Sequence, residues 1–162
     1  MTKRIKIKNK KEKMVAVSGG FDPIHIGHVR LFAAARKLGG RLVVILNNDN
    51  WKKLKGRHIF MPGRERKEII EALRTVDEVI LTGHKKNTKD ISVCRELSKI
   101  RPDVFANGGD RFADNIPEYK LCRKLGIEMA FNVGRGGKIR SSSVLLEEYK
   151  NKSIIKNNGK RA

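Results

Sequence analysis

The sequence contains few of the residues that build disulfide frameworks or membrane spans. Only two of its 162 residues are cysteines, Cys94 and Cys122, which are too few for a disulfide scaffold. No apolar run exceeds five residues, the longest being Leu31–Ala35 and Leu42–Leu46, whereas a membrane-spanning helix needs about 20. We therefore expect a cytoplasmic protein without a membrane span, with both cysteines packed on helices.

Acidic residues are also scarce. The 17 acidic residues against 37 Lys and Arg give a net charge of +20, of which +6 lies in residues 1–13 and +5 in residues 150–162. We interpret 1–13 as a basic flexible arm without the apolar segment of a secretory signal, 14–149 as a single domain, and 150–162 as a basic tail. Such charge favours phosphate-bearing ligands, and nonspecific nucleic-acid binding through the tails is the alternative.

The rest of the chain is organised around residues 14–38. An apolar run is followed by a glycine-rich turn and by two histidines three positions apart, in the order Met14-Val15-Ala16-Val17-Ser18-Gly19-Gly20-Phe21-Asp22-Pro23-Ile24-His25-Ile26-Gly27-His28. The apolar residues that follow are spaced as one helix face, at Leu31, Ala34, Ala35 and Leu38. The pattern predicts a strand, a turn and a helix whose free N–H groups favour phosphate, with both imidazoles on one side of the first turn.

These motifs, Gly-Gly-Phe-Asp followed by His-x-Gly-His, resemble the nucleotidyltransferase superfamily of cytidylyltransferase type. Gly20 stands where the superfamily usually has threonine. The resemblance implies transfer of a nucleoside monophosphate from CTP or ATP to a small phosphorylated substrate, with release of pyrophosphate. It also implies that His25 and His28 stabilise charge on the reacting phosphates, while the nucleotide is bound by Gly19, Gly20, Phe21, Asp22 and Gly27. The alternative is a plain strand-to-helix turn with two structural histidines.

A second candidate segment is the loop at 47–61, which follows the buried strand predicted at Leu42–Leu46. Its Asn-x-Asp and Lys-x-Leu-Lys-Gly pattern resembles the heptose-phosphate adenylyltransferase branch, and lysines of the equivalent loop contact phosphates in glycerol-3-phosphate cytidylyltransferases. The resemblance implies substrate binding by Asn48, Asp49 and Lys55 and catalytic roles for Lys53, Lys55 and Arg66. The loop is interpreted as a mobile flap, and a solvated basic loop is the alternative.

Two further elements complete the resemblance. The strand predicted at 103–107 leads into Gly109, Asp110 and Arg111, which resemble an element beside the nucleotide site. The serines Ser141, Ser142 and Ser143, preceded by Arg140, resemble the superfamily's last phosphate-binding element. Simple helix capping by these hydroxyls is the alternative.

The periodicity predicts a single Rossmann-like α/β domain, with a five-stranded parallel sheet and helices on both faces. Its remaining strands are expected at 77–81 and 127–133. Its remaining helices are expected from Pro62 with Ile69, Ile70 and Leu73 inward, from Asn87 or Thr88 to Ile100, and from Pro117 to Leu125 with Leu121, Cys122 and Leu125 inward.

Together these observations predict an enzyme that transfers CMP to a phosphorylated alcohol or sugar such as glycerol 3-phosphate. A heptose-phosphate type of adenylyltransferase that uses ATP is the first alternative, and a non-enzymatic nucleic-acid binder is the second. The resemblance implies Mg²⁺ bound mainly through the triphosphate, because the sequence shows no dedicated set of metal ligands. A homodimer is a further expectation.

Overall fold

The computed structural model describes residues 12–109, 111, 116–134 and 141–158. In chain order its elements are β1 (Met14–Gly19), α1 (Ile26–Arg36), β2 (Arg41–Leu46), α2 (Asp49–Leu54), α3 (Gly63–Glu71), β3 (Glu78–Leu81), α4 (Cys94–Ile100), β4 (Val104–Ala106), α5 (Glu118–Leu125), β5 (Glu128–Ala130) and α6 (Ser142–Asn158). None of the helices in these ranges is long and apolar enough to cross a membrane.

The five strands form one parallel sheet in the order β3-β2-β1-β4-β5. Strand β1 is central, with Gly19 paired to Leu46 of β2 on one side and Val15 paired to Val104 of β4 on the other. The order reverses at β1, because β2 and β3 extend the sheet one way and β4 and β5 the other. In such sheets ligands bind in the crevice beyond the carboxyl ends of the strands at the reversal.

The sheet is covered on both faces, which confirms the predicted fold class. Successive residues of β1 point to opposite faces. Val15 and Val17 pack with Phe32 of α1 and Ile70 of α3, whereas Ala16 belongs to the other core layer. That second layer is completed by strand residues and by helices α4 and α5, through Ile45, Phe105, Leu97 and Cys122.

Two connections differ from the sequence prediction. The segment at 47–61 was expected to be a loop, but it contains helix α2, because Asn48 caps it by accepting the Trp51 N–H at 3.0 Å. Helix α4 was expected to begin at Asn87 or Thr88 and begins at Cys94. The hydroxyl of Thr88 accepts the Asp90 N–H at 3.2 Å instead, and such local bonds compete with helix formation.

The predictions of two apolar helix faces were also wrong in part. Leu38 was expected inward and is 40% exposed, beyond the end of α1, while Phe32 is fully buried. Ile69 was expected to pack with Ile70 but is 39% exposed. Leu38 lies beyond the last residue of α1, where the helical spacing no longer applies. Ile69 is adjacent to Ile70, and spacing alone separates neighbouring positions poorly.

The chain's last described element also crosses a predicted boundary. The basic tail was expected from residue 150, yet α6 continues through Asn158. Cys122 is fully buried as expected, whereas Cys94 is partly exposed at the beginning of α4.

The contrast between Ile70 and Ile69 gives a matched test of the core. Ile70→Ala should lower the free energy of unfolding by about 2–5 kcal/mol, because it removes buried methylene groups and leaves a cavity. Ile69→Ala should cost less than about 1 kcal/mol, because the side chain keeps contact with solvent. Urea unfolding of both variants measures the difference, and equal losses would contradict the assigned helix face.

Candidate active site

The turn between β1 and α1 is shaped by Phe21. Phe21 has a positive φ of 46°, which non-glycine residues rarely adopt. Its ring lies over Gly19, where a Cβ atom would come within 2.7 Å of the ring. The same ring makes edge contacts with His28 and Phe32, each with centroids 5.0 Å apart. Gly19 is therefore needed for close approach, and Phe21 connects the turn to the first two turns of α1.

His25 and His28 meet at the beginning of α1. His25 is the N-cap residue, and its Nδ1 accepts the Gly27 N–H at 3.1 Å. The Nδ1 of His28 accepts the His25 N–H at 3.3 Å. The two rings stack with centroids 3.7 Å apart. An imidazole that accepts through Nδ1 carries its proton on Nε2 when neutral, so the pair presents two Nε2–H donors.

The environment of His28 keeps it neutral. Burial, and secondarily the nearby His25, lower the pKa of His28 to about 3. A buried imidazolium loses hydration and is repelled by a second positive ring. At neutral pH His28 therefore acts as an uncharged hydrogen-bond donor.

A buried ion pair joins the turn to α2. The Asp22 carboxylate accepts from the Lys52 ammonium and from the Phe60 and Met61 N–H groups at 2.9 and 2.8 Å. Burial lowers the pKa of Lys52, while the bond and charge of Asp22 oppose this shift. Asp22 was predicted to bind nucleotide. It lines the cleft described below, and its carboxylate also ties three chain segments together.

Arg66 is fully buried and holds the same turn from the other side. Its guanidinium donates to the carbonyls of Gly20, Asn47 and Met61 and to the Asp49 carboxylate. Arg66 was predicted to contact substrate or triphosphate. The structure directs these donors at the protein and does not place the side chain at the cleft wall.

The serines lie at the beginning of α6. The hydroxyl of Ser141 accepts the Val144 N–H at 3.2 Å, as a capping residue does. The hydroxyl of Ser142 donates to the Pro23 carbonyl at 2.9 Å, across 119 residues of sequence. This bond brings α6 beside the histidine turn.

These elements surround one cleft of ≈ 940 Å³ at the carboxyl ends of the strands. Most predicted site residues line it, namely Gly19, Gly20, Phe21, Asp22, His25, Gly27, His28, Gly109, Arg111, Ser141, Ser142 and Ser143. Five others that the structure describes are not among its lining residues, namely Asn48, Asp49, Lys53, Lys55 and Arg66. Asp110 and Arg140 lie outside the described residues.

Comparison with known proteins identifies the family of this chain. Residues 16–151 match the family described as Cytidylyltransferase-like.

The chain belongs to the cytidylyltransferase-like family.

It is 40% identical over 116 residues to the FAD synthase of Ferroglobus placidus, covering 72% of each chain. It is 38% identical over 113 residues to the bifunctional protein HldE of Erwinia tasmaniensis, covering 68% of this chain and 22% of that protein. The lipopolysaccharide core biosynthesis protein of Thermoplasma volcanium has the same fold, with a TM-score of 0.63, 24% identity and coverage of 77% of this chain and 99% of that one. The predicted nucleotidyltransferase assignment is thereby confirmed.

Several residues that line the cleft of this nucleotidyltransferase were not predicted from the sequence. Lys52 lines it, whereas the predicted Lys53 and Lys55 are exposed elsewhere on and after α2. The three lysines fall within four consecutive positions, so spacing alone could not choose between them. Arg57 and His58 also line the cleft, although they carry no motif signal. The catalytic roles given to Lys53 and Lys55 stay predictions.

A resident metal site in the cleft would need several carboxylate or imidazole ligands close together. Within the described ranges no group of three or more His, Cys, Asp and Glu side chains could hold a metal ion. The Asp22 carboxylate already accepts an ammonium and two N–H groups. The described residues of this nucleotidyltransferase thus do not form a resident metal site.

The low pKa of His28 predicts a pH dependence of stability. Between about pH 6.5 and pH 3 the unfolded chain takes up a proton at His28 that the folded chain does not, so stability should fall as pH falls. The slope should approach about 1.4 kcal/mol per pH unit. Chemical unfolding at pH 4.5 and 6.5 should show a smaller loss in His28→Gln than in the unmodified protein. Equal losses in the two proteins would contradict the burial argument.

Proposed function

We propose that this nucleotidyltransferase is an adenylyltransferase that joins AMP from ATP to the phosphate of FMN, forming FAD and releasing pyrophosphate. The observation that carries the proposal is the similarity to the Ferroglobus placidus FAD synthase, which extends over 72% of both chains. The transfer of CMP to glycerol 3-phosphate, favoured by the sequence motifs, is the competing assignment.

The charge around the cleft supports a phosphate-transferring enzyme. Among the described residues, five Lys and Arg side chains line it, namely Arg30, Lys52, Arg57, Arg111 and Lys150. In the same part of the chain, the carboxylates that line it are Asp22, which is paired with Lys52, and Glu147. A volume of ≈ 940 Å³ is near the upper end of ligand pockets, about 300–1,000 Å³, and suits two substrates bound together. Nucleic-acid binding through the basic termini remains a separate prediction.

The reaction needs little covalent help from the protein. An oxygen of the FMN phosphate attacks the α-phosphorus of ATP in line, a new P–O bond forms, and the bond to the β-phosphate oxygen breaks. Because a phosphate dianion is already a nucleophile, catalysis consists of positioning and stabilisation of negative charge. The two Nε2–H groups of His25 and His28 would donate to the α-phosphate and the leaving pyrophosphate. Mg²⁺ belongs to the proposal as the ion that accompanies the triphosphate and offsets its charge.

The first test is a substrate screen. The four nucleoside triphosphates are combined with FMN, riboflavin, glycerol 3-phosphate and a heptose phosphate, and pyrophosphate release is measured. ATP with FMN should give the largest kcat/KM and a product with the mass of FAD, while riboflavin, which lacks the phosphate nucleophile, should give none. Faster turnover of CTP with glycerol 3-phosphate would replace the proposal with the competing assignment.

The second test concerns His28. His28→Ala should lower kcat by about 10²–10³, the usual cost of losing one preorganised donor to developing charge. His28→Gln should recover part of the loss, because the glutamine amide nitrogen lies near the position of Nε2 and donates without charge. Steady-state kinetics and unfolding curves of both variants separate chemistry from folding. A folded His28→Ala variant with unchanged kcat would reject the role.

A further inference from the structure

Helices α4 and α5 share an exposed surface that is almost entirely basic. Among the residues of these two helices, six are exposed, namely Arg95, Ser98, Lys99, Lys120, Arg123 and Lys124. Five of the six are Lys or Arg, and we call these five side chains the basic face. The two acidic residues of the same helices, Glu96 and Glu118, are buried. Neither helix therefore exposes an acidic side chain that could offset the charge of the basic face.

The two helices that form the basic face lie side by side. Helix α4 precedes β4 and α5 precedes β5, and these strands are parallel neighbours in the sheet. Both helices pack on the same core layer. The buried carboxylate of Glu118 joins their beginnings, because it accepts the Val93 N–H at 2.9 Å. Each helix then directs its cations outward with spacings of three or four positions, so that they lie on one side of the helix.

The opposite side of the sheet does not have this property. The exposed residues of α3 are Arg64, Glu65, Glu68, Ile69 and Glu71. Cations on that side also form ion pairs, Lys67 with Glu71 at 3.3 Å and Arg36 with Asp77. In contrast, no side chain of the basic face forms an ion pair with any residue that the structure describes. The positive charge is thus concentrated on one face and does not simply follow the net charge of the chain.

Acidic side chains at the border of the basic face already have partners. Before α4, the Asp90 carboxylate accepts a backbone N–H at 2.9 Å. After α4, the Asp103 carboxylate accepts the Met14 N–H at 2.7 Å, and after α5 Glu128 pairs with Lys13 at 3.8 Å. The basic N-terminal segment of the sequence therefore joins the domain at this border.

The composition of the basic face favours a duplex over other polyanions. Helices that bind membrane surfaces insert apolar side chains, but no large hydrophobic residue of α4 or α5 is exposed. Single strands bind through aromatic side chains on which the bases stack. The one aromatic residue of these helices, Tyr119, is half-buried, and the Arg123 guanidinium carbon lies 6.0 Å from its ring centroid. A duplex needs neither feature, because cations that neutralise its phosphates supply affinity without base contacts.

We propose that the basic face binds the phosphate backbone of double-stranded nucleic acid without regard to base sequence. Its cations belong to the folded domain, so this site differs from binding through the basic termini. None of the five side chains lines the cleft. The function is therefore additional to nucleotidyl transfer and does not depend on the substrates of that reaction.

The test measures binding of fluorescein-labelled duplexes of mixed sequence by fluorescence anisotropy at several salt concentrations. The triple variant Lys99→Gln, Lys120→Gln and Lys124→Gln should bind a duplex at least about tenfold more weakly at low salt. The slope of log affinity against log salt should become less steep by up to ~2.7, because each neutralised phosphate contributes ~0.9. DNA and RNA duplexes are compared, and a loss with either or both supports the proposal and identifies the partner.

A second triple variant, Lys37→Gln, Arg64→Gln and Arg74→Gln, is the matched control. It also removes three positive charges from exposed positions, but these lie on or beside α1 and α3, away from the basic face and the cleft. It should bind duplexes almost as tightly as the unmodified protein. Equal losses in the two triple variants would reduce the effect to net charge and overturn the proposal, as would the absence of duplex binding in the unmodified protein.

Two further ligands test the choice of a duplex. Single-stranded nucleic acid of the same length and vesicles that contain phosphatidylserine are titrated against the unmodified protein and both triple variants. Each should bind more weakly than the duplex, because the basic face offers neither free aromatic rings nor apolar side chains for insertion. Tighter binding of either ligand, with the same dependence on the basic face, would overturn the assignment of a duplex.

Nucleotidyl transfer provides an independent measurement. Both triple variants should keep the kcat/KM of the unmodified protein, because none of the substituted residues lines the cleft. Duplex binding through the basic face in a protein that does not form FAD would support this proposal and reject the proposed function. FAD formation without duplex binding would support the proposed function and reject this proposal.

Discussion

The geometry of the cleft depends on the buried carboxylate of Asp22. A carboxylate removed from water costs several kcal/mol unless donors surround it, and Asp22 obtains them from Lys52 and from two backbone N–H groups. Those donors belong to α2 and to the segment before α3, so satisfying one charge brings three parts of the chain together. Two residues earlier, the Gly20 carbonyl accepts from Arg66. The turn that carries the histidines is thus held by cations from two helices.

The site contains two kinds of group that can interact with phosphate, uncharged hydrogen-bond donors and permanently charged side chains. At the beginning of α1 the protein offers a neutral donor, His28, because burial keeps the pKa of His28 far below neutrality. Around the walls it offers full charges, such as Arg30 and Arg111. In the proposed reaction, a neutral donor at the reacting phosphates avoids burying positive charge when no substrate is bound, while the outer cations attract polyphosphates over a longer distance. Both types of group are needed for a ligand that arrives highly charged and reacts in a sheltered site.

Features that depend on local chemistry could be predicted from the sequence. The apolar run of β2, the end of α5 at Leu125 and the position of both histidines at the beginning of α1 each reflect a requirement of one short segment, and each was predicted correctly. Features that depend on distant partners were not predictable. Asp22 selects Lys52 among the neighbouring lysines through a contact 30 residues away in sequence. Arg66 was recognised as important, but its acceptors lie as far as 46 residues away.

The bond between Ser142 and Pro23 has a consequence for the order in which the protein is made. The histidine turn is synthesised early, but the helix that borders it on one side follows 119 residues later. Strand β1 likewise pairs with β4, which is synthesised long after β2. A ribosome-bound chain therefore holds its reactive groups well before the cleft around them exists. The complete cleft can form only after α6 has been synthesised and can dock beside the histidine turn.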